Sequence, residues 1–150
     1  MNELRISYVP DDEWMGKILV TVRSGDFAGF GEAWVAIEQV DEFASALDRY
    51  PLPPTEPCVL EGGHGGNLDG SIKPQMLVSL AIKPQGQRGA ILVMAKLEDE
   101  IDSDRSRDTA LFQTVEARFL TDYNSVNAFI PALKGLSRGG GDAVLQGVDW

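Results

Sequence analysis

Hydrophobic and polar positions alternate with a period of two along much of this chain, the signature of strands with one buried face. Leu4, Ile6 and Tyr8 alternate with polar residues ahead of Pro10, and Asp11, Asp12 and Glu13 make a polar turn. Residues 17–23 put Ile18, Val20 and Val22 on one face, and Ser24-Gly25-Asp26 follows as a turn. The next strand covers 28–37, with Phe30, Trp34 and Ala36 sharing a face. Gly29 and Gly31 within it mark a bulge or a close approach of backbone. Two strands so tightly joined predict a hairpin. Further on, 58–61 reads as a short strand and 62–70 as a glycine-rich loop. Residues 71–83 and 88–97 flank the turn Pro84-Gln85-Gly86-Gln87 as a second hairpin, and 109–120 is another strand.

The period changes twice. Val40, Phe43, Ala44, Leu47 and Tyr50 form one stripe at helical spacing, closed by Pro51-Leu52-Pro53-Pro54 because proline offers no amide hydrogen. Val126, Phe129, Ile130, Leu133 and Leu136 form a second stripe, with Pro131 inside it predicting a kink or a later start. The two halves also echo each other. Gly16-Lys17-Ile18-Leu19-Val20 recurs as Gly89-Ala90-Ile91-Leu92-Val93, 73 residues later. The segment beginning Val40 recurs from Val126, 86 residues later, so the second copy carries 13 extra residues, where an acidic loop lies. This predicts an α+β fold: mostly antiparallel sheet, or two packed sheets, from two hairpin–helix units with two covering helices. Residues 1–136 form the single domain, and 137–150, with Gly139-Gly140-Gly141, a loosely ordered glycine-rich tail. The expected core includes Ile18, Val20, Val22, Phe43, Leu47, Val78, Leu80, Leu92, Val115, Phe129 and Leu133.

Charge narrows the partners. Thirteen Lys and Arg stand against 23 Asp and Glu in 150 residues, a net charge of −10. That argues against a phosphate-backbone binder, which needs clustered cations, and suits a basic protein partner or simply a well-solvated surface. One cysteine, Cys58, excludes an intrachain disulfide, and one histidine with one cysteine leaves no set of zinc ligands, so no metal and no cofactor are expected. The first residues lack a basic start and apolar run, and no apolar run approaches the roughly 20 residues of a membrane helix, which leads to the expectation of a cytoplasmic protein that binds neither membrane nor nucleic acid.

No catalytic constellation stands out. Glu61-Gly62-Gly63-His64-Gly65-Gly66-Asn67 lacks the Gly-Lys-Ser/Thr of a phosphate loop, and Leu68 stands where the third dinucleotide glycine would be. His64 could act as a base only with an orienting carboxylate, and Cys58 only with an activating partner. Glu32 and Trp34 lie on one strand face, where a glutamate beside an aromatic can become a catalytic acid; more often the tryptophan simply packs against a helix. Residues 98–108 hold six acids and two arginines, a net of −4. Glu100, Asp102 and Asp104 alternate as in a calcium loop, but Arg105 stands where that loop needs glycine. What remains is a solvated hairpin tip or an acidic finger presented to a basic partner.

The stretch from Trp14 to Val35 carries a tryptophan, a strand and the outline Ser-Gly-x-Phe-x-Gly-x-Gly-Glu-x-Trp over Ser24 to Trp34, followed by a helix with Phe43 and Leu47. It resembles small acidic bacterial proteins of unassigned function and looks like the WapI-type immunity proteins, over about residues 14–50 with a vaguer echo in 126–136. The resemblance implies an inhibitor of a cognate toxin, and brings no catalytic residues with it. The sequence therefore points to a non-catalytic module that binds a basic protein through Asp99, Glu100, Asp102 and Asp104. Two alternatives stand beside it: a small-ligand binder or enzyme using Glu32, Trp34 and His64, and a structural homo-oligomer.

Overall fold

A computed structural model describes residues 1–64, 75–99 and 113–150. The strands are β1 (Glu3–Pro10), β2 (Met15–Ser24), β3 (Phe27–Ala36), β4 (Cys58–His64), β5 (Gln75–Pro84), β6 (Ala90–Glu98), β7 (Thr114–Asp122) and β8 (Asp142–Gln146). Helix α1 (Ile37–Leu47) follows β3 directly and α2 (Tyr123–Leu136) follows β7 directly. Among the described residues the fold is α+β but dominated by its sheet: eight antiparallel strands in the order β7-β6-β5-β4-β3-β2-β1-β8, with two helices.

The period-two pattern becomes one continuous inner face. Leu4 and Ile6 of β1, Ile18, Val20 and Val22 of β2, Ala33 and Val35 of β3, Leu80 and Ile82 of β5, and Ala143 and Leu145 of β8 are all buried in a single cluster. The helices add Val40, Phe43, Ala44 and Leu47 from α1 and Val126, Phe129, Ile130, Leu133 and Leu136 from α2. Each fully buried Leu, Ile or Val contributes roughly 1.5–3 kcal/mol by leaving water. Among the expected core residues, Leu92 and Val115 are only half-buried. In β6 the inward parity belongs to Ile91, Val93, Ala95 and Leu97, and in the unbroken apolar run 90–95 alternation gave no means of choosing.

The sheet curls strongly, and two glycines permit it. On the inner face of β3 a Cβ at Gly29 would overlap the side chain of Val115, and one at Gly31 would come within 3.1 Å of Leu97. The expected close approach is thus between β3 and the β6–β7 pair. Ser24 Oγ completes it by donating to the Arg118 carbonyl at 2.7 Å. On β4 the register shifts between Gly62 and Gly63, where a Cβ on Gly62 would crowd Ala33 and Val35. Gly62, Gly63 and His64 therefore belong to a strand rather than to the glycine-rich loop expected for 62–70.

Two helix expectations change. Helix α1 ends at Leu47, so Tyr50 lies beyond it and is 82% exposed. Helix α2 starts at Tyr123, before its apolar stripe, because Asp122 caps it by accepting from the Ser125 amide at 2.8 Å. Pro131 stays inside α2 on its exposed side. Residues 137–150 are more than a tail: β8 pairs with β1 over Glu3↔Gln146 to Ser7↔Asp142 and buries Ala143 and Leu145. Beyond it, Val148 donates to the Leu120 carbonyl at 2.8 Å, and Trp150 Nε1 to the Thr121 carbonyl at 3.1 Å. The curl thus brings the two edge strands together at one corner.

Candidate functional site

Because odd positions of β3 face the core, its even positions face out. Ala28, Phe30, Glu32 and Trp34 are all exposed, Phe30 at 57% and Trp34 at 38%. Trp34 is therefore not packed against a helix. It stands opposite Lys17 of β2, as Glu32 stands opposite Leu19 and Phe30 opposite Thr21. Lys17 Nζ lies 3.2 Å from Glu32 Oε1 and 5.3 Å from the Trp34 ring centroid, so one ammonium joins a salt bridge to a cation–π contact. Phe27, at the other parity of β3, is 68% exposed at the hairpin tip, where Gly25 supplies the positive φ of +60° that the turn needs.

The acidic segment springs from the same end of the sheet. Glu98 closes β6, and the Asp99 amide donates to the Gln113 carbonyl at 2.9 Å, which ties the end of β6 to the residue before β7. Gln75 Nε2 donates to the Asp99 carbonyl at 2.7 Å and to Glu98 Oε2 at 3.4 Å, and Lys96 lies 3.6 Å from Glu98. A cleft of about 230 Å³ is lined by Phe30, Gly31, Glu32, Leu77, Glu98 and Asp99. A neighbouring cleft of about 350 Å³ continues from Phe30 and Asp99 to Gln113 and Val115. Of the four acids assigned to partner binding, Asp99 thus lies beside the β3 face, while Glu100, Asp102 and Asp104 lie outside the described residues.

Glu32, Trp34 and His64 come from neighbouring strands. Trp34 pairs with Gly63 in the sheet, and the next residue, His64, pairs with Gln75. Trp34 does not line the cleft that Glu32 lines. Cys58 and His64 occupy opposite ends of β4, about 20 Å apart at the usual strand rise, which removes a cysteine–histidine pair. Cys58 is buried, and that burial pushes its thiol up, against a smaller opposing pull from Arg49. Asp12 is lowered because its carboxylate accepts the Trp14 and Met15 amides at 2.7 and 2.8 Å; it shapes the β1–β2 turn. Among the described residues, no three His, Cys, Asp or Glu are grouped to hold a metal ion. No helix among them is long and apolar enough to cross a membrane.

Spacing put Phe30 on the face of Trp34 but did not bring forward its meeting with Glu98 and Asp99. A usable signal existed in β3. Its glycines fall on odd positions and Phe30 and Trp34 on even ones, and the face that carries the glycines is the one that needs close packing. Comparison with family models, with curated proteins and with solved structures finds no match to this chain.

Proposed function

We propose that this protein is a non-catalytic module that captures a basic protein, acting as an immunity protein toward a cationic toxin. One observation carries the reading: exposed Phe30 and Trp34 lie on the outer side of β3 with Glu32, and Phe30 shares a cleft with Glu32, Glu98 and Asp99, at the root of a segment with net charge −4. Exposed aromatics supply the anchors typical of binding hot spots, and surrounding carboxylates favour a cationic partner and speed its encounter. Glu32 is held by Lys17 rather than by a second acid, which gives the enzyme alternative less to work with. A cytoplasmic location belongs to this reading, in keeping with a single free thiol.

The same reading takes the chain as two hairpin–helix units. In its support, positions related by the 73-residue offset, Ile18 with Ile91 and Val20 with Val93, are buried in both copies. So are Val40 with Val126, Phe43 with Phe129, and Leu47 with Leu133 at the 86-residue offset. Superposition of β2–β3–α1 on β6–β7–α2 tests it; helices that leave their hairpins at unlike angles would remove it.

The functional test begins with immobilised protein and an extract of the source cells at low salt. A basic protein retained in stoichiometric amount is purified and bound again. Replacing Asp99, Glu100, Asp102 and Asp104 by their amides should weaken that binding and flatten its salt dependence. If neither changes, the acidic segment has no part in the mechanism.

A further inference from the structure

The outer face of β3 sets an aromatic ring on each side of Glu32, one with a cation over it and one without. At Trp34, the ring and the Glu32 carboxylate are satisfied by Lys17 of the chain itself, at 5.3 Å and 3.2 Å. Ring quadrupole and carboxylate attract the same ammonium, so the face accepts a cation without burying it fully. Two positions past Glu32 in the other direction stands Phe30, 57% exposed and opposite uncharged Thr21. Among the described residues no lysine or arginine lies over the Phe30 ring. Phe30 nevertheless lines a cleft of about 230 Å³ together with the acids Glu32, Glu98 and Asp99. Lys17, 3.2 Å from Glu32, and Lys96, 3.6 Å from Glu98, are two cations set against these three carboxylates.

We infer that Phe30, with Glu32, Glu98 and Asp99, is the acceptor for an arginine side chain of the basic partner, which rests on the protein-binding reading above and names its anchor point. Arginine fits better than lysine. Its planar guanidinium can lie against the ring while its N–H groups reach carboxylates contributed by β3 on one side and β6 on the other. An ammonium is a point charge and satisfies one such direction at a time. Because Phe30 and Glu32 sit on one strand and Glu98 closes another, the sheet holds the acceptor in place before the partner arrives, which lowers the ordering cost of binding.

The test uses the full chain and a hexa-arginine peptide, followed by nuclear magnetic resonance at fixed ionic strength, with hexa-lysine alongside. The amides of Phe30, Glu32 and Asp99 should shift together along one saturation curve, and hexa-arginine should bind about threefold tighter than hexa-lysine. Phe30→Ala should raise the dissociation constant about fivefold, as loss of an exposed cation–π contact would. Glu32→Gln, which keeps the side-chain shape, should also weaken binding. Equal affinity for the wild type and both variants, or shifts confined to surfaces away from Phe30, would overturn the acceptor. Its failure is distinct from failure of the functional reading. A captured basic partner that binds Phe30→Ala as well as wild type overturns the acceptor and leaves the reading standing. Peptide binding centred on Phe30 with no basic protein captured supports the acceptor and removes the reading.

Discussion

Thr121 Oγ1 donates a 2.6 Å hydrogen bond to the Gln146 carbonyl, and this contact ties together the two strands that begin and end the sheet order. Thr121 is the one polar side chain among the described residues that is fully buried. A buried hydroxyl without a partner is costly, so its position is set by the β8 carbonyl it reaches. Thr121→Val should destabilise the fold by about 1–3 kcal/mol, because it leaves that carbonyl without its donor. Urea denaturation checks this, with exposed Thr114→Val staying within about 0.5 kcal/mol of wild type.

Removal of residues 147–150 should act on the same corner. It deletes the bond from Val148 to Leu120 and that from Trp150 to Thr121, and opens the end of β7 as an unpaired edge. The truncated protein should show a lower urea midpoint and concentration-dependent association by size-exclusion chromatography with light scattering. A monomer with an unchanged midpoint would mean that this segment does not close the corner.

The curl of the sheet depends on what Gly29 and Gly31 lack. Gly29→Ala forces a methyl group into Val115, so it should cost about 1–3 kcal/mol by overpacking. Gly86, in an open turn with a φ of +72°, has nothing near its Cβ position. Gly86→Ala therefore costs through backbone strain alone, about 1–2 kcal/mol. Thermal melts show whether the two effects differ in kind: adding Val115→Ala should rescue Gly29→Ala and leave Gly86→Ala unchanged.

Exposure and size separate the phenylalanines. Phe43 is 2% exposed and Phe30 57%. Phe43→Ala should cost about 3–5 kcal/mol through lost burial and a residual cavity. Phe30→Ala should stay within about 0.5 kcal/mol of wild type, as surface substitutions usually do. A large loss at Phe30 would place it in the core and remove it from the binding surface.

The thiol of Cys58 gives a pH dependence of definite sign. Burial raises it above its ordinary value of 9.0, so the folded state holds the proton that the unfolded chain releases. The neutral buried thiol costs nothing below the unfolded value, and stability falls as pH rises from there through the raised folded value. Melting temperatures from pH 8 to 10.5 should therefore fall less steeply for Cys58→Ala than for wild type. Tyr8, also raised by burial, contributes to both curves alike and drops out of the difference.

Much of the fold was legible because single strands and helices announce themselves by period. The inward residues of β2 and the buried stripes of both helices follow directly from spacing. Long-range pairing does not. Nothing local in 137–150 shows that Asp142–Gln146 pairs with Glu3–Ser7, since only five residues alternate there and the partner strand lies at the other end of the chain. Tyr50 matched a helical stripe by number but lies past the helix end, where Leu47 is the last helical residue. In the candidate site, Glu32 and Trp34 were correctly placed on one strand face, yet Lys17 was invisible as their partner because cross-strand register decides it. That Phe30 would meet Glu98 and Asp99 depended on the curl that Gly29 and Gly31 allow.

The central claim is capture of a basic protein by the acidic, aromatic face, and titration calorimetry of the purified partner tests it most directly. Measured at 50 and 200 mM salt, the account expects a one-to-one complex whose affinity falls at least tenfold at the higher salt and falls again with Phe30→Ala. A complex insensitive to both salt and Phe30→Ala would contradict it.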